Sequence, residues 1–518
     1  MESSNSSNKR IAKNTLLLYF RMLLTMAVSL YTVRVILDTL GVVDYGLYNV
    51  VGGVVLMFSF LSSTMSSASQ RFFSFELGKK NYEKLKQTFS MTMTIYILIA
   101  VIILILAETV GLWFLNTKMT IPVNRMEAAN WVYQFSILAF MMTMFTIPYN
   151  AILIAREHMS VYAYVSIVEI ILKLLIVYLL LAFTMDKLIL YSILTFGVTT
   201  LVTLIYRVYC IKRFAECKYS FYWDRELFRS ITNYSGWNLF GALATIINNY
   251  GTNIVLNLFF GPVVNSARGI AYRINSIVSQ FVLSFMTATR PQIVKHYASG
   301  EYEKMNSLVF KSSKFSYLLL FVLSMPVIVE APFILSIWLK TVPAYTVLFA
   351  RLTIISALLD SISYPLIAAA LATGKIKLYQ IVVGGVLLLS VPISYVFMKF
   401  GFPPQTPMII AIIVSTVVLF LRLIMLRKLI HFPVLSFVKK TMLPILLVTI
   451  LSCLLIYFVK VNLDKINPTL AFFSICASCV VIVTIISYFL GFSSDDRVFF
   501  KSILANKMNK KVLNKKNI

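Results

Sequence analysis

The chain has 518 residues, of which 59% are hydrophobic and only 13% charged, with a mean hydropathy of +0.84; a soluble globule is excluded. The net charge of +27 would suit nucleic acid, but the basic residues recur at the ends of apolar segments instead of forming one patch, so topology explains them and no nucleic acid is expected. The apolar runs stay apolar for about twenty residues where a barrel strand would alternate over about ten, so the expected fold is an all-α polytopic membrane protein.

In chain order, Met1 to Asn8 is polar, and the first apolar segment is too long and too polar for a cleavable signal peptide. It is read as the first of about fourteen spans, near 14–37, 41–65, 89–115, 128–153, 159–183 and 188–211 in a first half. A polar, aromatic connector follows, and then spans near 231–258, 263–289, 312–338, 345–371, 376–398 and 407–426, with a last pair near 441–461 and 468–490. The expected domains are a six-helix lobe over 1–215, a connector over 216–230, a second six-helix lobe over 231–430, and two appended helices with a basic tail over 431–518.

With the N-terminus inside, the inner segments hold almost all the cations, among them Arg71, Lys79, Lys80, Lys212, Arg213, Arg225, Arg229, Arg290, Lys295 and the tail. Outside remain Lys118, Arg125, Lys187, Lys340, Lys399, Lys460 and Lys465. The positive-inside rule is strongly obeyed and puts both termini in the cytoplasm. The matched basic stretches 71–87 and 290–314 are expected to start with a helix lying on the inner surface.

Two spans joined by Phe260-Gly261-Pro262 carry too many polar groups for lipid contact. On a helical wheel Asn238, Thr245, Asn249 and Asn253 fall within roughly 80° of one another. In the following helix Arg268, Tyr272, Asn275 and Ser279 gather within about 40°, while Ser266, Arg273 and Gln280 form a second polar face. In the first span Arg21, Thr25, Ser29 and Thr32 lie within about 80°. Single Asn residues commonly join neighbouring helices by hydrogen bonds; the arginines, costly in lipid, are expected to face a watery path. Arg34 has Asp38 four residues on and is read as even between a structural pair and the path. Glu169 and Lys173 are placed to form an ion pair in the fifth span, with coupling of transport as the alternative for Glu169. Asp360, flanked by Ser356, Ser363 and Tyr364, is the other carboxylate suited to coupling.

The halves repeat. At an offset of 220, Gly41 meets Gly261, Ala68 meets Ala288, and Tyr82-Glu83-Lys84 meets Tyr302-Glu303-Lys304; at 217, Pro148 meets Pro365, Ala151 meets Ala368, Ala155 meets Ala372 and Tyr162 meets Tyr379. Repeats of this size mark transporters, and an even number of spans per half gives both halves the same orientation, related by an axis along the membrane normal. The polar helices are expected to line a cleft between the halves. Pro148 and Pro365 should kink their helices.

Cys476 and Cys479 form a CxxC in the middle of an apolar span, where packing is the expected role. His158, His296 and His431 lie far apart, so no metal site is expected. There is no GxxxxGK[ST] loop and no soluble domain to house an enzyme; no cofactor is expected. Asp495-Asp496 reads as a solvated turn.

The runs Asn14-Thr15-Leu16-Leu17-Leu18-Tyr19-Phe20-Arg21, Leu40-Gly41-Val42-Val43-Asp44-Tyr45-Gly46-Leu47-Tyr48-Asn49-Val50-Val51-Gly52-Gly53, Ser67-Ala68-Ser69-Gln70-Arg71-Phe72, Ser235-Gly236-Trp237-Asn238-Leu239-Phe240-Gly241 and Leu258-Phe259-Phe260-Gly261-Pro262-Val263-Val264-Asn265-Ser266-Ala267-Arg268-Gly269 resemble Wzx-type O-antigen and capsular polysaccharide translocases. The resemblance implies the multidrug/oligosaccharidyl-lipid/polysaccharide exporter superfamily. It also implies alternating access and a substrate: an undecaprenyl-diphosphate-linked oligosaccharide turned from the inner to the outer leaflet of the bacterial cytoplasmic membrane. The polysaccharide polymerase and chain-length machinery are the partners implied. Buried guanidinium groups suit a diphosphate, so the expected substrate-binding set is Arg21, Arg268, Arg273, Asn238, Asn249, Asn253, Tyr272 and Asn275. The alternatives are a cation-coupled multidrug exporter, and a membrane enzyme or scaffold of polysaccharide assembly. The lipid II flippases of the superfamily are similar in carrying arginines in their first, second and eighth spans; here the middle of the second span has none.

Overall fold

The computed structural model describes residues 14–28, 31–32, 35–36, 39–40, 44, 47–48, 51, 59–117, 121–339, 342–463, 467–492 and 497. Helix α1 is Asn14–Val28. The helices α2 Ser59–Gly78, α3 Tyr82–Leu106, α4 Leu112–Thr117, α5 Met126–Ala155, α6 Met159–Ala182, α7 Lys187–Arg213 and α8 Arg225–Ala298 follow. Then come α9 Tyr302–Val329, α10 Ala331–Trp338, α11 Thr346–Ala372, α12 Lys377–Lys399, α13 Thr406–Ile430, α14 Val434–Phe437, α15 Leu443–Leu463 and α16 Pro468–Ile486. The protein is an all-α polytopic membrane protein, and no strand occurs among the described residues.

Among the described residues, ten helical stretches are long and apolar enough to cross a membrane. They coincide with the third to sixth and ninth to fourteenth expected spans. The first two spans are only partly described; Ser29, Arg34, Asp38 and Asp495-Asp496 lie outside the described residues. The seventh and eighth fall in α8.

Helix α8 has helical backbone over 74 residues, which if straight would reach about 110 Å, several times a bilayer's hydrocarbon thickness. It is not straight. Arg268 donates a hydrogen bond to Asn253, fifteen residues earlier, and a straight helix would hold the two about 22 Å apart. The chain therefore folds back about midway between them, where the sequence puts Phe260-Gly261-Pro262.

The repeat recurs in backbone geometry. Helix α2 ends with Asn81 N–H donating to Glu76 O and Lys80 left-handed at φ 58°; α8 ends with Glu301 N–H donating to His296 O and Gly300 at φ 76°. Each position is offset by 220. At the second offset Glu157 has φ 63° and Gly374 φ 74°, and Pro148 and Pro365 both lie inside helices. The expected surface helices are corrected here: α2 and α8 run on to Gly78 and Ala298, and left-handed residues then reverse the chain within a few residues.

The chain divides into two compact units. One comprises Ile11–Ala242 with Thr287–Tyr302, the other Leu243–Met286 with the chain from Glu303 onward. In the first unit Phe73, Phe89, Tyr149, Ile152 and Tyr206 form the core. Ala151 and Ala155 are fully buried beside them, small enough to let helices approach as membrane packing favours. At the other end of these helices Arg125 pairs with both Asp44 and Asp186, and Asp186 also caps α7 at Leu188 and Ile189. Burial would raise the Asp186 carboxyl, but Arg125 and these amides hold it below its usual range.

In the second unit Val255, Leu256, Ala267, Ala271, Phe349 and Met408 form a core between the α8 hairpin and later helices. A Cβ at Gly251 would lie 3.0 Å from Val391, so glycine there lets α8 approach α12. The appended helices attach to α9. Tyr317 and Thr449 share a hydrogen bond of 2.8 Å, and Lys460 reaches Glu330 at 2.9 Å and the Val329 carbonyl at 3.2 Å.

Candidate functional site

Arg268 is 3% exposed. Its Nη1 donates to Asn253 Oδ1 across the α8 hairpin, and its guanidinium carbon lies 4.1 Å from the centre of the Tyr272 ring, one turn along the same helix. Nε and Nη2 are buried and have no hydrogen-bond partner. These two N–H groups form the side-on edge of the guanidinium, the fork that matches two oxygens of a carboxylate or phosphate. Asn265, one turn before Arg268, has a buried Oδ1 that likewise accepts nothing. Among the described residues no carboxylate pairs with Arg268. The ring face offers cation–π attraction in place of a counter-ion.

The other predicted residues divide. Arg21 lies over the Tyr162 ring at 4.4 Å, with a buried Nε that has no partner. Asn275 accepts from Ser279 at 2.9 Å, as their shared helical face predicts. Asn238 belongs to the first unit and donates to the Thr64 carbonyl at 3.1 Å, so it serves as a helix-to-helix tie. Arg273 and Asn249 are exposed and do not join the Arg268 cluster. Glu169 and Lys173 form the expected pair at 2.6 Å, with side chains 36% and 48% exposed. Asp360 bonds Ser415 and lies in the field of Arg422. The side chains of Asn257 and Ser266 lie outside the described residues.

Three clusters escaped the sequence reading. Arg422 is buried in α13 and donates through Nε to the Tyr379 hydroxyl at 3.2 Å; Tyr379 is the repeat mate of Tyr162, so each half sets one of these tyrosines against a guanidinium. Glu157 has a side chain only 1% exposed and accepts from both Lys295 and Gln292, while Asn14 donates to its carbonyl at 3.3 Å. Its match to Gly374 was the available signal, because a left-handed position filled by Glu and not Gly needs a use for the side chain. Beside it, burial and the charges of Arg156 and Arg213 hold the His158 ring below its ordinary value. Arg71 is boxed by Phe72, Phe75 and Tyr234 at 4.8, 4.7 and 5.5 Å, and Arg290 donates to Ser67 Oγ at 3.1 Å.

Among the described residues no group of three or more His, Cys, Asp or Glu is placed to hold a metal ion. Cys479 is buried and Cys476 partly so, both inside α16.

The fold is that of a multidrug-exporter type of membrane transporter. An outward-facing multidrug resistance MATE family transporter of the MOP superfamily superposes with a TM-score of 0.69 at 15% identity, covering 82% of this chain and 95% of that one. The MATE transporter ClbM, solved with Rb+, gives 0.68 at 16% identity over 81% and 95%. A MOP superfamily transporter from Pyrococcus furiosus, described as having a binding pocket of reverse polarity that suggests a different function, gives 0.66 at 15% over 83% and 97%. No curated protein matches the chain in sequence. The chain belongs to the polysaccharide biosynthesis protein family, whose model matches residues 11–297; the MatE model matches residues 240–396. Its fold is one that transporters of the MOP superfamily also have.

Proposed function

We propose that this transporter moves an undecaprenyl-diphosphate-linked oligosaccharide repeat unit, of O-antigen or capsule, from the inner to the outer leaflet of the bacterial cytoplasmic membrane by alternating access. The observation that carries this reading is the unpaired side-on fork of Arg268, buried and without a carboxylate. A buried cation of this kind is costly until an anion meets it, and a phosphate oxygen pair satisfies both N–H groups at once. Asn265 Oδ1 supplies an acceptor for a sugar hydroxyl beside the phosphate. Match to the polysaccharide family supports a saccharide cargo.

On the topology given by the basic residues, Arg268 stands about two turns from the outer fold-back of α8, which suits holding the phosphate late in its passage. Arg21 stands two turns from Asn14, at the inner end of α1, which suits an early contact; its cation–π seat on Tyr162 leaves Nε for that contact. Arg273 and Asn249, being exposed in this conformation, are assigned only to the later stages of substrate passage.

A second reading, a cation-coupled multidrug exporter, is favoured by the MatE match and by Asp360 in α11. The charge of Arg422 beside Asp360 argues for a structural carboxylate over a receptor for cationic drugs. Glu169, already paired with Lys173, offers no free charge to a drug either.

The test is leaflet-resolved accumulation of the lipid-linked unit in cells lacking this protein, complemented with wild type, Arg268→Ala or Arg268→Lys at equal expression. Inner-leaflet accumulation relieved by wild type, not by Arg268→Ala, and only partly by Arg268→Lys is the expected result. Full rescue by Arg268→Ala sinks the site; normal crossing without the protein sinks the cargo and turns attention to drug efflux.

A further inference from the structure

On one face of α7 near its end, Leu204, Ile205, Val208, Tyr209, Lys212 and Arg213 line a shallow open groove of about 540 Å³. The apolar wall lies within a membrane-spanning helix, and the two cations lie at that helix's last turn. Past the helix, the connector exposes Tyr219, Phe221 and Trp223, at 44%, 75% and 51%. The chain is extended at both Lys218 and Asp224, the two ends of this aromatic stretch.

The display is built. Tyr219 shares a hydrogen bond of 3.3 Å with Thr94 on α3, Asp224 caps α8 through Glu226 and Leu227, and Trp223 packs on Phe228 at 4.9 Å. Five exposed cations lie between Lys212 and Arg229, namely Lys212, Arg213, Lys218, Arg225 and Arg229, against one exposed carboxylate, Glu226. Glu216 is taken up by Arg156.

From this juxtaposition we infer that the end of α7 and the connector form a binding site for an anionic glycerophospholipid of the leaflet that the basic-residue count assigns to the cytoplasm. The groove takes an acyl chain and Lys212 and Arg213 take the phosphate. Tyr219, Phe221 and Trp223 lie among headgroups and glycerol, where amphipathic rings are favoured. A nucleic acid or an acidic peptide would satisfy the cations and leave the apolar groove empty; a lipid satisfies both. Each cation near an anionic leaflet enriches such a lipid roughly fivefold. The site lies within Ile11–Ala242, in one compact unit, away in sequence from Arg268, which belongs to the other unit, so the site's occupancy would be independent of the cargo.

The test uses the full-length protein in nanodiscs, with Trp113, Trp131, Trp237 and Trp338 replaced by Phe so that Trp223 alone reports. Lipids brominated near the glycerol are added as phosphatidylglycerol or phosphatidylcholine at equal mole fraction. Quenching of Trp223 should be about fivefold or more steeper with phosphatidylglycerol, in keeping with the enrichment above. Lys212→Gln with Arg213→Gln should bring the two lipids level, while Lys79→Gln with Lys80→Gln, the same charge loss elsewhere on that side, should leave the difference intact. Equal quenching by both lipids in the unmutated-groove protein, a comparison that needs no groove variant to fold, overturns the anionic preference. Water-like emission without quenching overturns the site altogether.

Discussion

Arg422 and Arg268 are both buried in the same compact unit, yet their surroundings are opposite. Arg422 has the Tyr379 hydroxyl as acceptor and the charge of Asp360 nearby. Arg268 has one amide oxygen, one ring face and an idle bidentate edge. Removing water from a cation costs several kcal/mol unless an anion compensates. The fold gives Arg422 an acceptor and leaves the side-on edge of Arg268 without one, which is why we propose the first as a structural group and the second as a receptor.

The contrast can be broken by substitution. Arg422→Leu should lower stability by about 2 kcal/mol in thermal unfolding of the purified protein, because it removes the charged hydrogen bond to the Tyr379 hydroxyl. Lys295→Met should cost about 2 kcal/mol by taking the ion-pair partner from the buried Glu157 carboxylate, read by the same unfolding assay. Arg268→Leu should be neutral or stabilising by about 1 kcal/mol while transport fails, the usual opposition of stability and function at a site. A large destabilisation there would mean that Arg268 is structural too. The smallest effect is expected at Lys80, left-handed and exposed: Lys80→Gly should gain about 0.5 to 1 kcal/mol by releasing strain. Glu157→Gly releases similar strain and should still lose stability, because it also breaks the clasp with Lys295 and Gln292.

The sequence made the helices, the repeat and the Arg268–Tyr272 face legible, because each follows from a period along one chain segment. Ten spans and the paired Pro148 and Pro365 were readable on the same grounds. The Arg268–Asn253 bond was half legible: each residue stood out on its own helix, and only the fold-back joins them. Wheel angles group residues without telling which face is covered, so Arg273 and Asn249 were grouped with the site although both are exposed. Long-range partners were silent. Nothing near Asn238 announces Thr64 O, and nothing near Glu157 announces Lys295, 138 residues away. Arg422 was visible as a cation inside an apolar run, and the repeat pair Tyr162 and Tyr379 could have pointed to it.

The measurement that bears most directly on Arg268 is binding of a short prenyl diphosphate, farnesyl diphosphate, to purified wild-type and Arg268→Gln protein, with farnesol as the uncharged control. A charge-assisted bidentate contact is worth about 1.5 to 3 kcal/mol, or about ten- to a hundredfold. The wild type should prefer the diphosphate over the alcohol by at least that lower factor, and Arg268→Gln should lose the preference while still binding farnesol. Equal affinity of both proteins for the diphosphate would contradict the assignment of Arg268 as the phosphate receptor.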